Sequence, residues 1–277
     1  MDDTDRASPE ILGPQDAVGG IALTDEVGWN QSYDDWLFCL TNGTVFGLRD
    51  DDGQLIATAA LLPYPPAAWI SLVLVTARKR RRGLARRLME TCIAAAERAG
   101  VTPWLDATPA GATVYAPMGF HPAQTLQRFR RRRDEPASTR MAAGELATGT
   151  LADLLDRDRH AIGFDRSALL SALSGRGDSH LYVHGSAVCL VRQGRKARQI
   201  GPLFADNAAD ATALLDGIVT HEDGPHIIDV IDGNNDVIQA LIQSGWINER
   251  PFQRMRFGAP PADERRVAVA VAGPEFG

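Results

Sequence analysis

Seven basic side chains crowd the short run Arg78-Lys79-Arg80-Arg81-Arg82-Gly83-Leu84-Ala85-Arg86-Arg87. Apolar Val73, Leu74 and Val75 precede it, and an amphipathic stretch to Ala99 follows. A strand that ends in such a turn and opens a helix can hold a phosphate. The first helical N–H groups have no partner within the helix, and the helix dipole favours an anion there. Gly83 lets the backbone come close to the ligand. Arginine supplies charge-assisted hydrogen bonds to phosphate oxygens. Arg80 and Arg82 are the first choices for side-chain contact. Arg86 and Arg87 lie past the first turn and read as solvated.

The elements that must position this turn are legible in the pattern. Thr44–Leu48 and Leu55–Leu62 read as strands around the acidic turn Asp50–Gly53, and Trp69–Val75 as a third strand. Leu84, Leu88, Cys92 and Ala95 form one apolar stripe of a helix that Gly100 closes. Thr102–Asp106 reads as a strand, Gly111–Met118 as a short helix, and Phe120 with Leu126–Arg130 as the last strands. Ahead of them, a first strand is expected near Ile21–Leu23. A single helix capped by Thr24 or Asp25 is then expected to carry Trp29 and Trp36 on one face.

After the polar, Pro- and Gly-containing stretch around 136–146, read as a linker, the order repeats. Helices are expected at 151–155 and 167–173, strands at 181–184, 187–192 and 199–204, then helix 208–219, strand 227–231, helix 235–243 and strand 247–257. Val114-Tyr115-Ala116-Pro117-Met118-Gly119-Phe120 also lines up with Ala240-Leu241-Ile242-Gln243-Ser244-Gly245-Trp246. Two domains of one ancestry follow, 1–135 and 147–258, with 259–277 expected to be a frayed tail.

Composition narrows the function. The 277-residue chain carries a net charge of −6, with 44% hydrophobic and 23% charged residues. That is ordinary globular composition. An acidic chain is a poor general nucleic-acid binder. The basic run Arg128–Arg133 sits on a terminal strand, where half its side chains should alternate outward. No apolar run is long enough to span a membrane, and the acidic start MDDTDRASPE resembles no signal peptide. Cys39, Cys92 and Cys189 are far apart, which points to buried thiols in a reducing compartment rather than a metal site. A cytoplasmic protein with no metal, no membrane and no nucleic-acid partner is expected.

With these motifs in order, the sequence resembles the GNAT family of acyl-CoA-dependent N-acetyltransferases. The resemblance rests on Val75-Thr76, Arg80-Arg81-Arg82-Gly83-Leu84-Ala85 and Tyr115-Ala116-Pro117-Met118-Gly119-Phe120. The second half resembles the divergent GNAT-like domain found downstream in some bacterial acetyltransferases, through Gly163–Ser167 and Ile200–Ala205. It departs from the motif: Ala205-Asp206-Asn207-Ala208-Ala209 stands where the basic loop belongs, and Leu241 where the tyrosine belongs.

The implied fold class is α/β (α+β), two tandem GNAT-like domains, each a mixed, mostly antiparallel sheet flanked by helices. The implied co-substrate is acetyl-CoA. Leu74 and Val75 would pair with its pantetheine arm, and Arg81, Arg82, Gly83, Leu84 and Ala85 would cradle its pyrophosphate. Tyr115, a phenol of reference pKa about 10, would protonate the leaving thiolate. Asp106 is the named candidate for the base, with Glu26 and Asp34 as alternatives. The implied activity is acetyl transfer to a primary amine of a small molecule or peptide, by a monomer or homodimer. The competing reading is a non-catalytic acyl-CoA-binding sensor or scaffold.

Overall fold

The computed structural model describes residues 8–132, 146–258 and 268–277. The first half runs β1 (Glu10–Ile11), α1 (Ala17–Val27), α2 (Tyr33–Asn42), β2 (Thr44–Arg49), β3 (Leu55–Tyr64), β4 (Ala67–Val75), α3 (Leu84–Ala99), β5 (Thr102–Ala107), α4 (Pro109–Tyr115) and β6 (Phe120–Arg131). The second runs β7 (Ala147–Thr148), α5 (Leu151–Ile162), α6 (Ser167–Ser174), β8 (His180–His184), β9 (Ala187–Arg192), β10 (Arg198–Phe204), α7 (Ala208–His221), β11 (His226–Ile231), α8 (Asn235–Gln243), β12 (Ile247–Phe257) and β13 (Ala268–Ala270). The expected linker lies, apart from Leu146, outside the described residues.

The strands form one continuous mixed sheet in the order β1-β2-β3-β4-β5-β12-β6-β11-β13-β10-β9-β8-β7. The centre of this order is an exchange. β12, from the second half, sits between β5 and β6 of the first, and β6 sits between β12 and β11. The sequence reading ends each sheet within its own half. The structure instead interleaves β6 of the first half with β12 and β11 of the second at the seam. Strand pairing is blind to sequence distance once loop closure is met, and loop-closure cost grows only slowly with length.

The exchange places the basic run of β6 inside the sheet. Arg128 is buried and donates two hydrogen bonds to Asp229, at 2.7 and 2.8 Å. Arg130 pairs with Glu249, and buried Arg131 donates to the carbonyl of Ser244. These arginines are therefore seam residues; Arg133 lies outside the described residues. Seam packing also buries His226, register partner of Arg131, with neither ring nitrogen hydrogen-bonded among the described residues. Burial, then the nearby charge of Arg198, lowers its pKa from 6.5 to about 4. The folded chain refuses a proton that the unfolded chain accepts below pH 6.5. Stability is thus expected to fall by about 3 kcal/mol between pH 6.5 and pH 4. His226→Leu should flatten this part of the acid-unfolding curve, and an unchanged slope would contradict the assignment.

Two local expectations fail for physical reasons. Ile21–Leu23 is helical, because α1 starts earlier, at Ala17, and ends at Gly28 in the left-handed region (φ 69°). The chain then re-enters a helix through Ser32, whose side chain accepts from the N–H of Asp35 while Asp35 accepts from that of Ser32. Two helices replace the single one. Trp36 is buried, its Nε1 donating to Thr24 Oγ1 at 2.8 Å, while Trp29 falls in the connecting loop. The second failure is the tail. Residues 268–270 are a strand, and Val269, Val271, Ala272 and Phe276 are buried. Small apolar residues there find the unpaired edges of β10 and β11 and the space between the halves.

α3 covers β2–β5 through Leu84, Leu88, Met89, Cys92 and Ala96. Each fully buried leucine contributes about 2 kcal/mol. The stripe closes on Ala96 rather than on half-buried Ala95. Burial pushes the Cys92 thiol up to about 12, so it is a core side chain and no nucleophile.

Candidate active site

β4 and β5 diverge. They pair in parallel only from Ala67–Trp69 to Thr102–Trp104. Beyond Trp69, the edge of β4 facing β5 has no strand beside it among the described residues, as β5 diverges and pairs with β12. A bulge accompanies the divergence. Thr58 pairs with Leu74 and Ala60 with Ser71, so β4 carries one residue more than β3. Leu72 takes the left-handed region (φ 49°), and Thr58 Oγ1 donates to its carbonyl at 2.8 Å. A non-glycine residue there is strained backbone held by its surroundings.

A cavity occupies the opening. Ser71, Leu72 and Val73 line it from β4, Leu105 and Ala107 from β5, and Tyr115 from the end of α4. Trp29 and Gln31 close one side, Arg128, Arg250 and Phe252 another, and Pro274 with Glu275 a third. Leu74 and Val75, the two residues singled out for backbone pairing, continue the same open edge toward the basic loop.

That loop joins β4 to α3. Thr76 and Ala77 are anchored by Glu26 of α1, which accepts from Thr76 Oγ1 at 2.9 Å and from the N–H of Ala77 at 2.9 Å. Glu26 therefore sets the loop's root. Arg81 and Gly83 both have positive φ, at 63° and 79°. α3 begins at Leu84 with no side chain capping it, so the amides of its first turn face outward unclaimed by a cap. Arg80 to Gly83 are exposed, Leu84 is buried and Ala85 half-buried. Arg80 Nε donates to the carbonyl of Val75 at 3.1 Å. Arg78 pairs with Asp50 and Arg86 with Glu90.

Tyr115 packs near Phe120, ring centroids 6.3 Å apart, and its hydroxyl meets no protein acceptor among the described residues. Burial, then Cys92, raises its pKa above the ordinary phenol value, so it carries its proton throughout the working range. α4 is set by Thr108, whose side chain accepts from the N–H of Gly111. Gly111 leaves room for the ring: a Cβ there would come within 2.9 Å of Tyr115.

Asp106 reaches the cavity wall, but its carboxylate has no exposed surface and accepts two hydrogen bonds from Arg254, both at 2.8 Å. Arg254 lies on β12, with its guanidinium 4.7 Å from the Trp69 ring centroid. This pair ties β5 to the exchanged strand and engages both carboxylate oxygens. Asp106 thus reaches the site as an ion-paired side chain, its pKa raised by burial against the pull of Arg254. Asp34 lines a separate surface groove beside α6. Arg166 pairs with Asp158, not with adjacent Asp165, and donates to the carbonyls of Phe276 and Gly277. Among the described residues, no three His, Cys, Asp or Glu side chains are grouped to hold a metal ion.

The residues that sequence reasoning missed come from the loop between α1 and α2, from the seam and from 268–277. Gln31, Arg128, Arg250, Phe252 and Glu275 are distant in sequence and carry no local motif. The α1–α2 loop, the exchanged strand and the docked tail bring them together.

The second half repeats this framework and fills it. β10 pairs with β11 in parallel only from Arg198 to Ile200. β10 carries one residue more than β9 between Ile200 and Leu203, the same bulge as in β4. Here the opening holds β13: Ala270 pairs with Leu203 on one side and Val230 on the other. Gly201 is required, since a Cβ would sit 2.0 Å from the Val271 carbonyl oxygen. The α7 start is capped by Asn207, whose side chain accepts from the N–H of Asp210, and Arg157 pairs with Asp206 beside it. An open groove with an uncapped basic helix start in one half faces a filled groove with a capped acidic start in the other.

Residues 19–120 match the family model described as acetyltransferase (GNAT) family, and residues 154–269 the one described as acetyltransferase (GNAT) domain. The chain is 25% identical over 244 residues to YitH, an uncharacterized N-acetyltransferase of Bacillus subtilis (strain 168), spanning 85% of this chain and 86% of that protein. A solved Pyrococcus horikoshii structure superposes with a TM-score of 0.81 at 20% identity, over 97% of this chain and 95% of that one. A tandem GNAT protein from the clavulanic acid biosynthesis pathway superposes at 0.67 with 16% identity, over 92% and 99%. Both likenesses extend the fold across the two halves.

Proposed function

This chain belongs to the acetyltransferase (GNAT) family, and from that premise we propose that it transfers acetyl from acetyl-CoA to a primary amine, using its first half alone. That it is an acyltransferase comes with the family. The finer reading is carried by one observation: the open edge of β4 runs into an uncapped basic helix start in the first half, and β13 fills the corresponding place in the second.

The residues fit acetyl-CoA as follows. The backbone of Leu72–Val75 offers an unpaired strand edge to an extended amide-bearing arm. The amides of Arg81, Arg82, Gly83, Leu84 and Ala85 offer donors to a pyrophosphate, with Arg80 and Arg82 adding charge. The thioester supplies the activated acetyl group. The cavity holds the amine beside it, and positioning of this kind supplies much of the rate. The amine nitrogen forms the new bond to the acyl carbon, the carbon–sulfur bond breaks, and Tyr115 hands its phenolic proton to the departing sulfur. Both carboxylates on the cavity wall are engaged, Asp106 by Arg254 and Glu275 by Arg192 and Gln31. Removal of the amine proton is therefore assigned to water at the cavity mouth.

Acetyl-CoA at about one hundred times its Kd should stabilise the chain by about 2.7 kcal/mol, a rise in Tm of several degrees. Arg82→Glu should abolish that rise by placing a negative charge in the cradle. A sensor or scaffold would give the same shift with no thiol release on any amine, which separates the two readings.

A further inference from the structure

The charges around the cavity balance with one exception. Arg128 is matched by Asp229, and Asp106 by Arg254. Buried Asp35 and Glu275 are matched by Arg192 and Arg176, through contacts of 2.5–3.2 Å. Arg250 remains. It lines the cavity from β12, half-buried, and no carboxylate lies within ion-pair distance of it among the described residues. Its Nε is buried without a hydrogen-bond partner.

Its setting holds the guanidinium in place. Arg250 is the register partner of Arg128, at a shift in the β12–β6 pairing. The two guanidinium carbons each lie 5.0 Å from the centroid of the Phe252 ring. Arg128 has two of its donors committed to Asp229, so Arg250 has the free fork. An unmatched, partly desolvated arginine is costly unless an anion meets it. A guanidinium offers a planar pair of donors that suits a carboxylate.

We propose that the acceptor is an amino acid, or a compound built like one, whose carboxylate is bound by Arg250 while its amine points toward Ser71–Val73 and Tyr115. A single unmatched positive charge calls for a monoanion. A phosphate dianion would leave negative charge in excess beside Asp229 and Glu275. The inference rests on the acetyl-transfer reading for the direction of the amine. It goes beyond that reading in naming the acceptor's second group and the residue that selects it.

The test uses the full chain and two series: the proteinogenic amino acids, and the same compounds as carboxamides. Binding is followed by calorimetry, and turnover by thiol release with acetyl-CoA. At least one amino acid should bind and be acetylated, with its carboxamide weaker by about 30-fold or more, the lower range for leaving a charge-paired site unpaired. Arg250→Gln should weaken the amino acid by a similar factor and erase its preference over the carboxamide. Arg250→Lys should restore part of it. The acetyl-CoA-induced rise in Tm, measured without acceptor, reports folding of each variant and tests the acetyl-CoA reading separately. The proposal is overturned if no amino acid binds, if the carboxamide binds as well, or if Arg250→Gln keeps the preference. A chain that acetylates carboxamides or plain amines equally well would retain its acetyl-transfer function and lose this specificity.

Discussion

Tyr115→Phe should lower kcat about 100-fold, the lower range for losing a general acid, while leaving acetyl-CoA affinity within about twofold. The ring stays: it packs near Phe120 and fills the space that Gly111 leaves for it. Only the hydroxyl goes, and among the described residues it carries no protein hydrogen bond whose loss would disturb the fold. Burial holds the phenol proton in place above its ordinary range. The wild-type rate should therefore rise with pH as the acceptor amine deprotonates, with no alkaline decline below about pH 10. Steady-state thiol release across pH measures both. An unchanged kcat in the phenylalanine variant would remove Tyr115 from the mechanism, and a normal decline near pH 8 would place the acid elsewhere.

The largest stability effect is expected at Arg192. This side chain is 1% exposed and reaches Asp35 of α2 at 3.2 Å, Glu275 at 2.5 Å and the Ala272 carbonyl at 3.3 Å. Its guanidinium lies 5.3 Å from the Phe276 ring centroid. One arginine of β9 thus joins the first half's α2 to the docked tail. Arg192→Leu leaves two buried carboxylates short of a cation, and should cost about 4 kcal/mol, near 10 °C in Tm for a chain of this size. The sign of the pH dependence follows. Burial already raises the Glu275 carboxyl with Arg192 in place, while Asp35 is held lowered; without the guanidinium both would rise. They would then oppose folding at neutral pH and cease to do so once protonated. The gap between variant and wild type should shrink as pH falls toward 4. Adding Glu275→Leu to Arg192→Leu should recover part of the loss, because the orphaned charge is then gone. A double variant no more stable than the single one would mean that the arginine acts through packing alone.

What could be seen in advance was local. The Arg80–Ala85 loop at the start of α3, the α3 stripe, the place of Tyr115 at the end of α4 and the second half's lack of both motifs are sequence-contiguous features, and periodicity or a short motif carries each. The single helix expected across Trp29 failed because Gly28 and the Ser32–Asp35 capping box interrupt an otherwise apolar run. That interruption frees Trp29 to line the cavity. Asp106 was placed correctly at the end of a strand beside the crevice. Its partner, Arg254, is 148 residues away and arrives only through the exchanged β12. The tail failed for the same reason. Nothing in an Ala- and Val-rich segment announces a strand until the split between β10 and β11 offers it two edges. The cavity wall made by Gln31, Arg128, Arg250 and Glu275 is assembled from distant parts of the chain and has no signature in spacing.

The same filling of the second groove gives the account its sharpest consequence. Two halves share a framework, and only one has room. Calorimetric titration of the full chain with acetyl-CoA should give one site per chain, and Arg82→Glu should remove it. A stoichiometry of two, or a single site that survives Arg82→Glu, would contradict the account.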